Sequence, residues 1–81
     1  MSEQQSDLEI NRRREAIDAL DRELLRLLNE RAAHAKSIGS LKGDSAAYRP
    51  EREARVLRAI QAQNRGPLSD GAVTSVFRQI M

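Results

Sequence analysis

Apolar side chains recur every seven residues in the first half of the chain, and a second series lies three positions after the first. The two series are Ile10, Ile17, Leu24 and Ile38, then Leu20, Leu27 and Leu41. This spacing places both series along one side of an α-helix. No proline interrupts the segment, and Ser6 followed by Glu9 is typical of a capping box. The pattern predicts one helix from Ser6 to about Lys42, preceded by a disordered N-terminus over residues 1–6.

A second, shorter helix is predicted from Pro50 to about Arg65, after a loop over residues 43–49. Proline suits the first turn of a helix because the N–H that it lacks has no partner there. Gly66 and Pro67 end the helical pattern. The apolar positions of this helix are Val56, Leu57 and Ile60.

A third helix is predicted to begin after Ser69, which has the residue type of an N-cap. Its apolar positions are Ala72, Val73, Val76, Phe77, Ile80 and Met81. The apolar pattern is still running at Met81, so we expect a domain over residues 7–81 that is incomplete in its last helix. No segment shows the alternation typical of strands. The predicted fold is therefore all-α, with three helices and a very long first one.

The length of the first helix bears on the number of chains in the folded unit. A helix of this predicted length extends ~54 Å at 1.5 Å per residue, whereas a compact domain of this size has a radius of gyration of roughly 12 Å. The first helix must therefore extend past the other two, which leaves apolar surface uncovered. A second copy is the simplest cover, and we expect an intertwined helical-bundle homodimer.

Composition narrows the possible chemistry. The chain has no cysteine and one histidine, which excludes disulfides, thiol nucleophiles and cysteine-based zinc sites and argues against a metal site. The N-terminal residues are polar and acidic, and no apolar run is long enough to span a membrane. We therefore expect a cytoplasmic protein without a membrane partner. Twelve of the fourteen basic residues are arginine, which favours planar contacts to carboxylates.

Cations on the first helix are candidates for binding such an anion. Arg31 and Lys42 are ~16 Å apart along the helix axis and rotated by only about 20°, so both can reach toward one pocket. Arg14 lies ~26 Å from Arg31, too far to hold the same small molecule. An Arg14 in that pocket has to come from the partner chain of an antiparallel pair.

Each candidate also has a purely structural explanation. Arg31 can extend its charge to water from the helix seam, and Lys42 can complement the negative end of the helix dipole. Glu53 can be an acid favoured in a first helical turn. His34 is better explained as a hydrogen-bonded seam residue than as a general base, and we assign it no role. Spacing alone leaves the function open.

The residues also resemble a known family. The run from Arg14 through Asp21 to Arg31 (REAIDALDRELLRLLNER) resembles the first helix of the all-helical chorismate mutases. The spacing onward to Lys42 and to the segment YRPERE, residues 48–53, is similar to the form at the N-terminus of bifunctional chorismate mutase/prephenate dehydratase proteins. The resemblance covers residues 8–81.

The resemblance implies an intertwined homodimer in which the long helix is shared between two active sites. Arg31 and the partner's Arg14 would hold the two carboxylates of chorismate, Lys42 would bind the ether oxygen, and Glu53 would bind the ring hydroxyl. The family rearranges chorismate to prephenate in phenylalanine and tyrosine biosynthesis, without metal or cofactor. Arg49 stands where some members have an acid, and we leave it out of the site.

Further site residues of the family lie on the third helix beyond Met81, so the resemblance implies reduced activity for the chain as given. Two other functions are open to this sequence. The heptad-like apolar pattern also fits a non-catalytic helical dimerisation module. Nucleic-acid binding ranks last, because acids are interspersed among the arginines and one tyrosine and one phenylalanine offer little stacking.

Overall fold

A computed structural model describes residues 2–42 and 50–81. Those residues form three α-helices: α1 (Glu3–Lys42), α2 (Pro50–Gln63) and α3 (Asp70–Ile80). The described ranges contain no strand, so the predicted all-α fold with three helices is confirmed. The predicted loop over residues 43–49, including Tyr48 and Arg49, lies outside the described residues.

The start of α1 differs from the prediction. The helix begins at Glu3, so residues 3–6, which were expected to be disordered, are helical. The capping box is formed by Ser2 and Gln5: the Ser2 hydroxyl accepts from the Gln5 N–H at 3.1 Å, and the Gln5 side chain accepts from the Ser2 N–H at 3.1 Å. Two N–H groups that the helix cannot satisfy are thereby paired. The same pattern at Ser6 lies inside the helix.

Within its own unit, which ends at Lys42, α1 buries no side chain. Its forty residues extend ~60 Å. The apolar side chains predicted to lie along one side of α1 form a stripe, and all of them are exposed. Their accessible fractions are 46 to 87%, and they are Ile10, Ile17, Leu20, Leu24, Leu27, Ile38 and Leu41. A stripe of this kind is uncovered hydrophobic surface, which costs free energy in water.

The second unit, which begins at residue 43, contains the helical hairpin of α2 and α3. Val73 is buried, with 8% of its surface exposed, and the other apolar side chains of the interface are half-buried. These are Val56, Leu57, Ile60, Phe77 and Ile80. The hairpin therefore has a thin core.

The turn between α2 and α3 follows the predicted signals closely. The α2 helix ends at Gln63, two residues before the predicted end. Gly66 adopts a φ of 73°, a left-handed conformation that glycine tolerates best, and the Gly66–Pro67 peptide bond is cis. Ser69 is the N-cap of α3, as predicted, and its hydroxyl accepts from the Ala72 N–H at 3.1 Å.

Among the described helices, none combines the length and the apolar character needed to cross a membrane.

Candidate functional site

Three of the four predicted site residues lie on α1. Arg31 is half-buried and Lys42 is exposed at the last position of the helix, and both residues take part in further polar contacts. Because the helix is continuous between them, the axial separation of ~16 Å holds. Arg14 is exposed on the same helix, ~26 Å from Arg31.

Arg14 differs from the two arginines that precede it. Glu9 pairs with Arg13 at 2.9 Å and with Arg12 at 3.9 Å. Arg14 makes no ion pair or hydrogen bond with any described residue. Its guanidinium donors are therefore directed to solvent and are open to a carboxylate from outside the chain.

Glu53 is the fourth predicted residue and lies in the first turn of α2. It is half-buried, on the same side of the helix as Leu57 and Ile60. Its carboxylate has no hydrogen-bond partner among residues 2–42 and 50–81. A carboxylate without a partner, partly removed from water, is a strong acceptor for a ligand hydroxyl.

The charges of α1 are unevenly distributed along its length. Residues 3–30 contain eight acids and five arginines, whereas residues 31–42 contain three cations and no acid. Residues 3–30 thus carry a formal charge of −3 and are called the acidic segment of α1. Residues 31–42 carry a formal charge of +3 and are called its basic segment. The two α1 cations predicted to share a pocket both belong to the basic segment, which favours an anionic ligand there.

An ion-pair network occupies the acidic segment of α1. Arg26 pairs with Glu30 at 3.0 Å and, through its Nε, with Glu23 at 3.1 Å. The hydrogen bond from Arg26 lowers the pKa of Glu23 from its ordinary value of 4.5. The same contact is the main cause that raises the pKa of Arg26. All three side chains are more than half exposed, so the network stabilises the helix surface only weakly.

His34 is exposed on α1, and its role stays unassigned. Within the part of the chain that the structure describes, no three histidine, aspartate or glutamate side chains come together as metal ligands.

The structure leaves the predicted set divided between two units. Arg14, Arg31 and Lys42 belong to the unit of α1, and Glu53 belongs to the unit of α2 and α3. Neither unit alone carries all four residues.

Sequence reasoning missed two polar contacts, one between α2 and α3 and one between the turn after α2 and the start of α3. The Gln61 amide donates to the Thr74 hydroxyl at 2.8 Å, and the Asn64 amide donates to the Asp70 carboxylate at 2.8 Å. These residues are separated by a turn, and no local pattern in the sequence links them.

Comparison with known proteins identifies the family. The family model for chorismate mutase type II matches residues 13–81. A bifunctional chorismate mutase/prephenate dehydratase from Neisseria gonorrhoeae is 62% identical over 68 residues, which cover 84% of this chain and 19% of that protein. The protein of the same description from Pseudomonas aeruginosa is 46% identical over 72 residues, covering 80% of this chain and 20% of that protein.

A solved structure extends the comparison to the fold. The chorismate mutase (Form I) from Thermus thermophilus matches with a TM-score of 0.83 and 35% identity, over 89% of this chain and 92% of that one. The chain spans about a fifth of the length of the bifunctional relatives. Since the family model covers most of the chain and a solved chorismate mutase shares its fold, the chain belongs to the type II chorismate mutase family.

Proposed function

We propose that this chain rearranges chorismate to prephenate, the mutase activity named for its relatives. The observation that carries the proposal is the family match over residues 13–81, because that range contains Arg14, Arg31, Lys42 and Glu53. The rearrangement is intramolecular: one C–O bond breaks and one C–C bond forms within a single substrate. The reaction therefore needs orientation and charge stabilisation, which cations and a hydrogen-bond acceptor supply.

The two arginines select the reactive conformation of the substrate. Chorismate has two carboxylates that must approach each other before the new C–C bond can form. Arg31 of one chain and the partner's Arg14 bind one carboxylate each, and two planar guanidinium groups restrict both the distance and the orientation. Binding energy is thereby used to hold the folded conformer. Arg14 suits this role because it has no partner within the described chain.

Lys42 acts on the bond that breaks. Negative charge develops on the ether oxygen in the transition state, and an ammonium group at that position stabilises the transition state more than the ground state. Lys42 is exposed at the end of α1, within the basic segment. Glu53 accepts a hydrogen bond from the ring hydroxyl and orients the ring.

A homodimer follows from the distances on α1. Arg14 and Arg31 cannot reach the same small molecule from one helix, so the site is complete only when a second copy contributes its Arg14. Two features of α1 support this arrangement: its length and its exposed apolar stripe.

The mutase proposal is tested by comparing Lys42→Ala with Lys36→Ala. Loss of the Lys42 charge should lower kcat by roughly 100-fold or more, because a preorganised charge at the transition state is removed. Lys36 is an exposed lysine of the same helix and is absent from the proposed site, so its substitution should leave kcat within about twofold of the unaltered chain. The decrease in chorismate absorbance measures both rates.

Equal rates for the Lys42→Ala variant and the unaltered chain would refute the role of Lys42. If the unaltered chain gave no turnover, the proposed activity itself would be wrong for this chain.

A non-catalytic dimerisation module is the second candidate, and the exposed apolar stripe of α1 favours it. The two functions differ in their response to a dicarboxylate. A bicyclic dicarboxylate that resembles the rearranging substrate should raise the melting temperature of a mutase in proportion to its binding. No change at the highest dicarboxylate concentration tested, together with a stable dimer, would favour the module.

A further inference from the structure

The apolar core of the α2–α3 hairpin is too thin to fix the alignment of its two helices by itself. Val73 is the one described residue that is buried, and the remaining apolar contacts are half-buried. Apolar contacts are not directional, so a thin apolar interface tolerates sliding of one helix along the other. Hydrogen bonds between side chains are directional and fix a single alignment.

The hairpin has two such polar links, and both lie near the turn. Gln61 donates to Thr74 at 2.8 Å, and Thr74 is half-buried. Asn64 donates to Asp70 at 2.8 Å and to the Leu68 carbonyl at 2.9 Å, while its own amide oxygen accepts from the Gly66 N–H at 3.0 Å. The Asn64 contacts close the turn itself. The link from Gln61 to Thr74 is therefore the described polar contact that joins the bodies of the two helices.

The alignment set by this link has a consequence at the opposite end of the hairpin. Seven residues before Gln61 is Ala54, and seven residues after Thr74 is Met81. Seven residues correspond to ~10.5 Å along a helix and nearly two full turns, so Ala54 and Met81 are placed opposite each other. Both are half-buried, as this alignment requires. Glu53, next to Ala54, lies at the same level as the last turn of α3.

We propose that the hydrogen bond from Gln61 to Thr74 is a positioning contact for Glu53. By fixing the alignment of the hairpin, it keeps the last turn of α3 beside the Glu53 carboxylate and excludes part of the water from it. A hydrogen bond from a substrate hydroxyl to a carboxylate is stronger where water is excluded. Thr74 and Gln61 thus act on substrate binding through Glu53, without touching the substrate. This role for the pair rests on the proposed mutase function.

The kinetic test uses Thr74→Val, which keeps the shape of the side chain and removes the acceptor, with Thr74→Ser as the rescue that restores the hydroxyl. Thr74→Val should raise KM for chorismate about fivefold, the size of one weakened hydrogen bond, with kcat changed less than twofold. Thr74→Ser should return KM to within about twofold of the original value.

Coupling to Glu53 separates positioning from a general loss of stability. In a Glu53→Ala background, Thr74→Val should cause no further rise in KM, because the group through which it acts is absent. A fivefold rise in that background as well would overturn the proposal, since the effect would then be independent of Glu53.

A second measurement does not depend on activity. The chain has no cysteine, so Ala54→Cys with Met81→Cys gives a single intrachain pair, whose rate of disulfide formation reports the alignment. Thr74→Val should slow that rate at least threefold, and Thr74→Ser should restore it. Ala59→Cys with Met81→Cys is the matched control: Ala59 is exposed and ~7.5 Å farther along α2, and this pair should form slowly in every background.

The two measurements distinguish the two proposals. An unchanged disulfide rate in Thr74→Val overturns the positioning role whatever the kinetics. If disulfide formation is slowed in a chain that does not turn over chorismate, the Gln61–Thr74 hydrogen bond does fix the alignment of the hairpin. The mutase proposal would then be refuted, and the proposed effect on substrate binding with it.

Discussion

Individual arginines of α1 differ in whether they form an ion pair. Glu9 is four residues before Arg13, and Glu30 is four residues after Arg26; both pairs form ion contacts. This is the spacing at which side chains meet on a helix. Arg14 has no ion partner among the described residues. Asp18 lies four residues after Arg14, yet the two side chains form no ion pair, so spacing alone does not determine which arginines are paired.

The contact between Arg26 and Glu23 predicts a pH effect with a definite sign. Arg26 favours the ionised form of Glu23 and lowers its pKa from 4.5. The stabilisation is therefore fully present above pH 4.5 and is lost as the pH falls through the lowered folded-state value. In Arg26→Gln the pKa of Glu23, followed by NMR titration, should return toward 4.5.

Arg22→Gln is the matched control for that titration, because Arg22 precedes Glu23 in the chain but has no hydrogen bond to it. The lowering should largely persist in this variant. An unaltered pKa of Glu23 in Arg26→Gln would contradict the assigned cause.

At the scale of helices, the ends are determined by short polar sequences. Two serines near the N-terminus, Ser2 and Ser6, are each followed three residues later by a residue able to complete a capping box. The first of them is the one used, which adds three residues to the predicted helix. At the start of α3, Ser69 is the N-cap, as predicted. The adjacent Asp70, also a favoured N-cap type, accepts a hydrogen bond from the Asn64 amide instead.

Removal of the Ser69 cap should weaken the α2–α3 hairpin. In Ser69→Ala the Ala72 N–H loses its acceptor, and the free energy of unfolding should fall by about 1 kcal/mol. Ser75→Ala, an exposed position within the same helix, should change it by less than about 0.5 kcal/mol. Urea denaturation followed by circular dichroism measures both. Equal stability of the two variants would show that the cap contributes nothing.

At the largest scale, α1 is the element whose apolar side chains stay exposed within its own unit. Its unit buries none of its residues, although leucine and isoleucine side chains line its length. The proposed second copy covers this surface and also supplies the second arginine of the site. Stability and activity are then linked, because the same interface produces both.

A charge placed in the α1 stripe should therefore weaken the dimer and, with it, lower the activity. Leu24, in the stripe, is 55% exposed in the single chain. Leu24→Glu loses at least about 1.5 kcal/mol of burial in each of two copies, so the dimer dissociation constant should rise roughly 100-fold or more. Ala19→Glu, on the opposite side of α1, should leave it within about threefold. Sedimentation velocity over a concentration series gives both constants; a monomeric unaltered chain would contradict the proposed site.

Features that depend on neighbouring residues could be predicted from the sequence alone. Local hydrogen bonding accounts for the three helices, for the start of α2 at Pro50 and for the cap at Ser69. The constant rise per residue of a helix accounts for the spacing of Arg14, Arg31 and Lys42. The family resemblance rests on the same local runs, and the match over residues 13–81 confirms it.

Features that depend on residues distant in the chain could be read only from the folded structure. The pairing of Gln61 with Thr74 crosses a turn, and the half-burial of Glu53 depends on what packs beside α2. The spacing of apolar residues in the sequence shows which side of a helix a residue occupies. It does not show which residues that side contacts, or at which point along the neighbouring helix the contact lies. Alignment between helices is set by side-chain contacts that form only when the chain has folded.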